Sequence, residues 1–155
     1  MASLVQSSLS PFFDRLCGIE LDLSNGINLD ALGFQNSLLL DLTRLLNSRC
    51  DLSIEEYLES EKFIFNFGIP ALSVFSPQAK SDHIKLEQLL SHAIKLYEPR
   101  MTQVKVMVSN ESNDHRSVKV EILSAVIFGE RMLRFAPSFH LNPTEVEVVV
   151  KPELD

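Results

Sequence analysis

The 155-residue chain has no tryptophan, two tyrosines, two cysteines and five glycines, and these scarcities narrow what it can do. With no Trp and only Tyr57 and Tyr97, it offers few flat platforms for stacking on sugar rings. Cys17 and Cys50 lack C-x-x-C spacing, so they make no disulfide framework and read as small core hydrophobes. No apolar run approaches the ~18 residues needed to cross a bilayer, which excludes direct membrane insertion as a helix. The opening Met-Ala-Ser-Leu-Val-Gln-Ser-Ser lacks a basic and then an apolar region, so no cleavable export signal is expected and the cytoplasm is the expected compartment. No glycine-rich phosphate loop, H-E-x-x-H or G-x-S-x-G motif occurs.

Positive charge is also scarce where nucleic acid would need it. The chain carries 14 Lys and Arg against 21 Asp and Glu, a net charge of −7. Up to Glu61 there are 10 acids and 3 bases, and beyond it 11 of each. No basic stripe exists to neutralise phosphates, so nucleic acid is excluded as a ligand. His83 and His92 stand nine residues apart, on nearly opposite helix faces at ~100° per residue, and cannot share a metal. His115 and His140 are isolated. No metal, cofactor or small-molecule substrate is expected.

What is present is an ordinary globular mixture, 45% hydrophobic and 23% charged, long enough for about one domain with its own core. Helical spacing comes first and strand alternation second, which predicts an α+β fold: two long amphipathic helices and a short one packed on a mainly antiparallel sheet of about four strands. Residues 1–10 are read as a flexible N-terminal segment, 11–150 as one domain and 151–155 as a C-terminal tail. A short helix is expected over Pro11–Cys17, capped by Ser10, and a loop over Leu21–Gly33.

The first long helix is expected over Phe34–Arg49, with Leu38, Leu42, Leu45 and Leu46 on one stripe and Arg44 and Arg49 near its C-terminal dipole. Ser53-Ile54-Glu55-Glu56 has capping-box form and opens a short helix to about Glu59, whose acids read as a solvated face. Phe63–Pro70 is too short and broken for a helix; Gly68 and Pro70 mark a turn, and its phenylalanines are expected to pack on the core. The second long helix is expected over Asp82–Tyr97 with Ser81 as N-cap. Strands follow with Val104, Val106 and Val108 alternating, then Val118–Phe128 apolar on both faces and so covered on both sides, then Leu133–His140. A last edge strand is expected over Thr144–Val150.

Tyr97-Glu98-Pro99-Arg100 lies between the strongest helix and the first strand. Pro99 ends the helix and pushes Glu98 out of the α region. If the segment is extended, the Glu98 carboxylate and Arg100 guanidinium fall on the same side, two residues apart. Such a pair either recognises a partner or is a helix stop with an incidental salt bridge.

Leu45-Leu46-Asn47-Ser48-Arg49, Asn66-Phe67-Gly68-Ile69-Pro70-Ala71-Leu72 and Tyr97-Glu98-Pro99-Arg100, in that order and followed by alternating valines, together resemble the baseplate sheath-initiator family of contractile injection machines. This lysozyme-like family includes the TssE-type subunits of type VI secretion systems. The opening Phe12-Phe13-Asp14-Arg15-Leu16 also fits. Ser48, Phe67 and Ala71 depart from the usual threonine, tyrosine and aspartate, and no role is carried onto Ala71. The resemblance implies a structural baseplate component without catalysis, which connects wedge subunits and initiates sheath polymerisation. Its place would be the cytoplasmic face of the bacterial inner membrane. It also implies that Glu98, Pro99 and Arg100 contact baseplate wedge proteins, and that Val146, Val148 and Val150 lie on an edge strand offered to contractile sheath subunits. The alternative the lysozyme-like label raises is a peptidoglycan hydrolase using Glu98 with a second acid.

Overall fold

The computed structural model describes residues 31–110, 115–143 and 150–151, together with the backbone of β1 (Ser8–Leu9) and β2 (Asn28–Leu29). β1 and β2 pair antiparallel. Helix α1 spans Ala31–Asn47, α2 Ile54–Glu59 and α3 Lys80–Tyr97. Strands β3 (Met101–Asn110), β4 (Val118–Phe128), β5 (Arg131–Phe135) and β6 (Ser138–Leu141) form an antiparallel four-stranded sheet. This is the expected α+β architecture of two long helices, a short helix and a mainly antiparallel sheet. The expected Pro11–Cys17 helix, its Ser10 cap and all but the last residue of the Thr144–Val150 strand lie outside the described residues.

The helical stripes become one side of the core. α1 buries Phe34, Leu38, Leu42, Leu45 and Leu46, and α3 buries Leu86, Leu89, Leu90, Ala93 and Ile94. Against them stand Val118, Val120, Ile122, Val126 and Phe128 of β4 with Phe135, Phe139 and Leu141 of β5 and β6. Fully burying one such aliphatic or aromatic side chain favours folding by about 1.5–3 kcal/mol, so this layer stabilises the fold far more than any single polar contact does.

Several local expectations are corrected. α1 starts at Ala31, inside the stretch read as loop, because Phe34 and Leu38 already pack in the core and carry the helix through Gly33. α3 starts at Lys80 with Ala79 as its N-cap residue and no side-chain cap. The Asp82 carboxylate instead accepts from the Ser76 N–H at 2.8 Å, fixing the incoming loop. β4 is central but covered on one face: positions such as Leu123 and Ala125 are half-buried, and Ile127 is 57% exposed.

β3 contains a bulge that the alternation alone does not reveal. Thr102 pairs with Ala125 and Lys105 with Leu123, so three steps on β3 match two on β4, and Gln103 takes φ 53°. The extra residue shifts the phase by one. Met101 and Val106, an odd and an even position, therefore both point into the core. β5 and β6 lie end to end along the other side of β4 in one unbroken register. The break between them falls at Pro137, which accepts from the Ile122 N–H at 2.9 Å but has no N–H to return.

Candidate functional site

Three backbone joints build the site. At the first, α1 ends and Arg49 donates to the Leu46 carbonyl at 2.6 Å, satisfying an orphan acceptor of the last turn. Partial desolvation of its guanidinium holds the Arg49 pKa below its usual value.

At the second joint the chain returns alongside that helix end. Cys50 N–H donates to Ile69 O at 3.1 Å and Ile69 N–H to Ser48 O at 3.0 Å, a short parallel bridge. Gly68 between them sits at φ +116°, and a Cβ there would lie 2.5 Å from the Ser48 carbonyl oxygen. Only glycine fits both the dihedral and the space. The buried Tyr57 hydroxyl of α2 donates to the Gly68 carbonyl at 2.5 Å, and burial pushes its pKa well up, so it stays a donor. α2 itself opens on the expected capping box, with Ser53 and Glu56 bonded reciprocally. The backbone N–H of Ser53, and then its hydroxyl, hold the Glu56 carboxyl below the usual range.

At the third joint α3 stops. Glu98 leaves the helical region at φ −122°, ψ 78°, as Pro99 requires. The segment is not extended: Met101 N–H donates to Glu98 O at 3.2 Å, closing a turn over Pro99 and Arg100. The turn still brings acid and base together. Arg100 Nε donates to Glu98 Oε1 at 2.6 Å and Nη2 to Oε2 at 2.6 Å, a two-pronged pair. Nη2 also reaches Asp41 Oδ2 at 2.5 Å, and Nη1 reaches the Ser37 hydroxyl at 3.3 Å, both on α1. Burial disfavours the Arg100 charge, but hydrogen bonding and attraction from Glu98 and Asp41 outweigh it and hold its pKa up.

The geometry divides the three corner residues. Glu98 is 5% exposed and has both carboxylate oxygens engaged by Arg100. Pro99 is exposed, and Arg100 is half-buried with its ring-facing side 5.9 Å from the Phe34 centroid. Glu98 therefore acts inward, as the carboxylate that aims Arg100. Beside the corner lies a mainly apolar groove of about 670 Å³, lined by Leu45, Ile64, Phe67 and Tyr97 together with Asp41, Arg44, Pro99 and Arg100. Sequence reasoning found Glu98, Pro99 and Arg100 but missed Ser37 and Asp41, which stand about sixty positions away in the chain and whose helical spacing, one turn apart on α1, was the available signal.

The phenylalanine segment is the main correction at the site. Ile64–Asn66 form a single 3₁₀ turn, and Phe63, Ile64, Phe65 and Phe67 face solvent rather than the core. The Tyr97 hydroxyl donates to Phe63 O at 3.0 Å, and Phe67 meets the Tyr97 ring edge-on at 5.3 Å between centroids.

The remaining candidates are local. His83 Nε2 lies 2.7 Å from Pro77 O and His92 Nε2 3.2 Å from Ser60 O. Among the described residues no three His, Cys, Asp or Glu gather as a metal site, and no helix is long and apolar enough to cross a membrane. Val146 and Val148 lie outside the described residues. Val150 is buried, and Lys151 exchanges two backbone hydrogen bonds with Ser138 at 2.9 and 3.0 Å, so the chain beside Val150 runs along the outer side of β6. At the opposite side of the sheet, Val108 N–H points away from β4 and donates to Glu87 Oε1 of α3 at 2.9 Å. That contact closes part of the β3 edge.

No curated protein matches the chain. A family model described as baseplate wedge protein gp25 matches residues 34–128, from the start of the α1 core stripe to the end of β4. All three joints fall within that match. The chain belongs to this baseplate wedge family, of which the TssE subunits are members, and its association is with other baseplate proteins.

Proposed function

We propose that this protein is a structural subunit of a type VI secretion baseplate that joins wedge proteins through the Glu98–Arg100 corner and initiates the contractile sheath, without catalysis. It would work at the cytoplasmic face of the bacterial inner membrane, with residues 11–150 acting as one unit. The observation that carries this reading is the rigid corner beside a large, mainly apolar groove within the family match. Pro99 and the outer face of Arg100 are the contact elements, and Glu98 holds them in place. The hydrolase alternative finds no support in the geometry of Glu98: a general acid must hold a transferable proton, whereas both Glu98 oxygens accept from Arg100.

The sheath contact is assigned to the margin at Thr144–Val150. Closure of Val108 by Glu87 argues against the β3 side, and pairing by residues 144–150 would use their backbone, with Val146 and Val148 as specificity side chains and Val150 as an anchor in the core. The test is co-purification of the tagged chain with the wedge and sheath proteins of its own system. Pro99→Arg, at an exposed turn position, should lower wedge recovery by roughly tenfold or more while circular dichroism stays unchanged. Undiminished recovery would refute the corner as the contact.

A further inference from the structure

Ile64 and Phe65 are 86% and 85% exposed, the most exposed large apolar side chains among the described residues. They do not hang from a loose loop. Asn66 N–H donates to Phe63 O at 3.1 Å and Phe67 N–H to Ile64 O at 3.3 Å, closing the 3₁₀ turn on itself. Tyr97, a residue of α3, holds the Phe63 carbonyl at one end, and Tyr57 of α2 holds the Gly68 carbonyl at the other. The Phe63 and Phe65 rings lie 5.4 Å apart between centroids. The result is an apolar knuckle pinned at both ends by tyrosine hydroxyls, that of Tyr57 buried.

Two tyrosine hydrogen bonds that hold Ile64 and Phe65 out in water present them to a partner, because rigid presentation removes the ordering cost of binding. Ile64 also forms part of the groove wall beside Arg100, so the knuckle continues the corner surface. The charge that flanks the knuckle along the chain selects the partner. Between Cys50 and Ala79 the chain has five acids (Asp51, Glu55, Glu56, Glu59 and Glu61) and a single base, Lys62. All five acids are exposed. Two copies of this surface would bring like charge against like charge, which disfavours self-association.

We infer that the Phe63–Phe65 knuckle plugs an apolar socket rimmed by Lys or Arg on a neighbouring baseplate wedge protein. The inference rests on the baseplate reading and adds to it a second anchor, distinct from the corner, and the charge of the surface that receives it. The acids on α2 and at Glu61 meet the basic rim and orient the approach, while Ile64 and Phe65 supply the desolvated centre.

The experiment places the photocrosslinking residue p-benzoylphenylalanine at Phe65 in the full-length protein, in cells assembling the baseplate. Exposure of this site makes the replacement harmless to folding. The expected result is an adduct with a wedge protein, mapped to a segment that combines apolar residues with Lys or Arg. An adduct with a second copy, an adduct with a segment lacking basic residues, or no adduct while the wedge still co-purifies would each overturn the inference and leave the baseplate reading standing. If the unmodified chain itself fails to retain wedge proteins, the baseplate reading falls and takes the inference with it. Ile64→Ser with Phe65→Ser should cut retention by roughly tenfold or more. Glu59→Lys with Glu61→Lys should weaken it several-fold at low salt and less at high salt; indifference to that charge reversal would refute the basic rim.

Discussion

Replacing Arg100 tests whether the corner, proposed above as a contact, is also a strut of the fold. The guanidinium links the end of α3 to α1 through Glu98, Asp41 and Ser37. Arg100→Met keeps most of the side-chain volume and deletes all of these bonds. It leaves Glu98, with a side chain only 6% exposed, without its cation. Breaking a fully buried ion pair by removing one partner costs about 3–5 kcal/mol. Here the Arg100 and Asp41 side chains are 25% and 28% exposed, so solvent relieves part of the loss and about 2–3 kcal/mol is expected. Adding Glu98→Gln removes the stranded charge and should restore about 1–2 kcal/mol, a coupling that separates a specific pair from general damage. Urea unfolding followed by circular dichroism measures all three variants, and an unchanged m-value keeps them comparable. A loss below about 0.5 kcal/mol for Arg100→Met, the scale of an exposed pair, would refute the strut. Simple additivity of the two substitutions would refute the pairing.

Gly68→Ala must place a Cβ 2.5 Å from the Ser48 carbonyl oxygen at a φ of +116°. Strain of this kind costs about 1–3 kcal/mol before the clash is counted, and a thermal melt should show a fall of several degrees; an unchanged midpoint would mean that the joint at Ser48 yields freely. For the α2 cap the expected readout is pH. The Glu56 carboxyl titrates lower in the folded chain than in the unfolded one because the Ser53 N–H and hydroxyl bind its charged form. Its contribution is thus complete above the ordinary glutamate range and disappears as pH falls through the lowered folded value. Glu56→Gln can keep the capping geometry without a titration, so the acid limb of the stability profile should flatten in that variant, and an identical acid limb would remove Glu56 from the account.

Short-range chemistry made much of this molecule readable. Ser53 and Glu56 sit three residues apart and announce their own cap, Pro99 announces the end of α3, and the leucine stripes of α1 and α3 announce which faces are buried. What stayed hidden depends on residues far apart in the chain. Asp41 and Ser37 join the corner only because α1 packs beside the end of α3. The β3 bulge shows no glycine, since Gln103 itself takes the positive φ that corrects the phase between Met101 and Val106. The Phe63–Phe67 segment misleads for a different reason. Hydrophobicity records what water disfavours, not whether the fold has room to hide it, and the core is already filled by Leu45, Tyr57, Ile69 and Ile94.

That last point bears on how a surface of this kind is specified. The three motifs that carry the family resemblance turn out to be joints: Ile69 N–H donates to Ser48 O while Ile69 O accepts from Cys50 N–H, Gly68 permits this approach, and Glu98 faces inward to hold Arg100. Such residues fix the position of a surface without forming much of it. Ile64, Phe65, Pro99 and part of Arg100 meet water beside these joints, and on the proposed reading side-chain changes there would alter what is bound while leaving the joints intact. On the proposed reading, partner choice belongs to the knuckle and the turn, and the three motifs belong to the frame that holds them. Substitutions at the joints should reduce stability and assembly together, whereas substitutions at Ile64, Phe65 or Pro99 should reduce assembly alone. Melting and co-purification measured on the same set of variants separate the two classes, and a joint variant that assembles poorly at full stability would break the division.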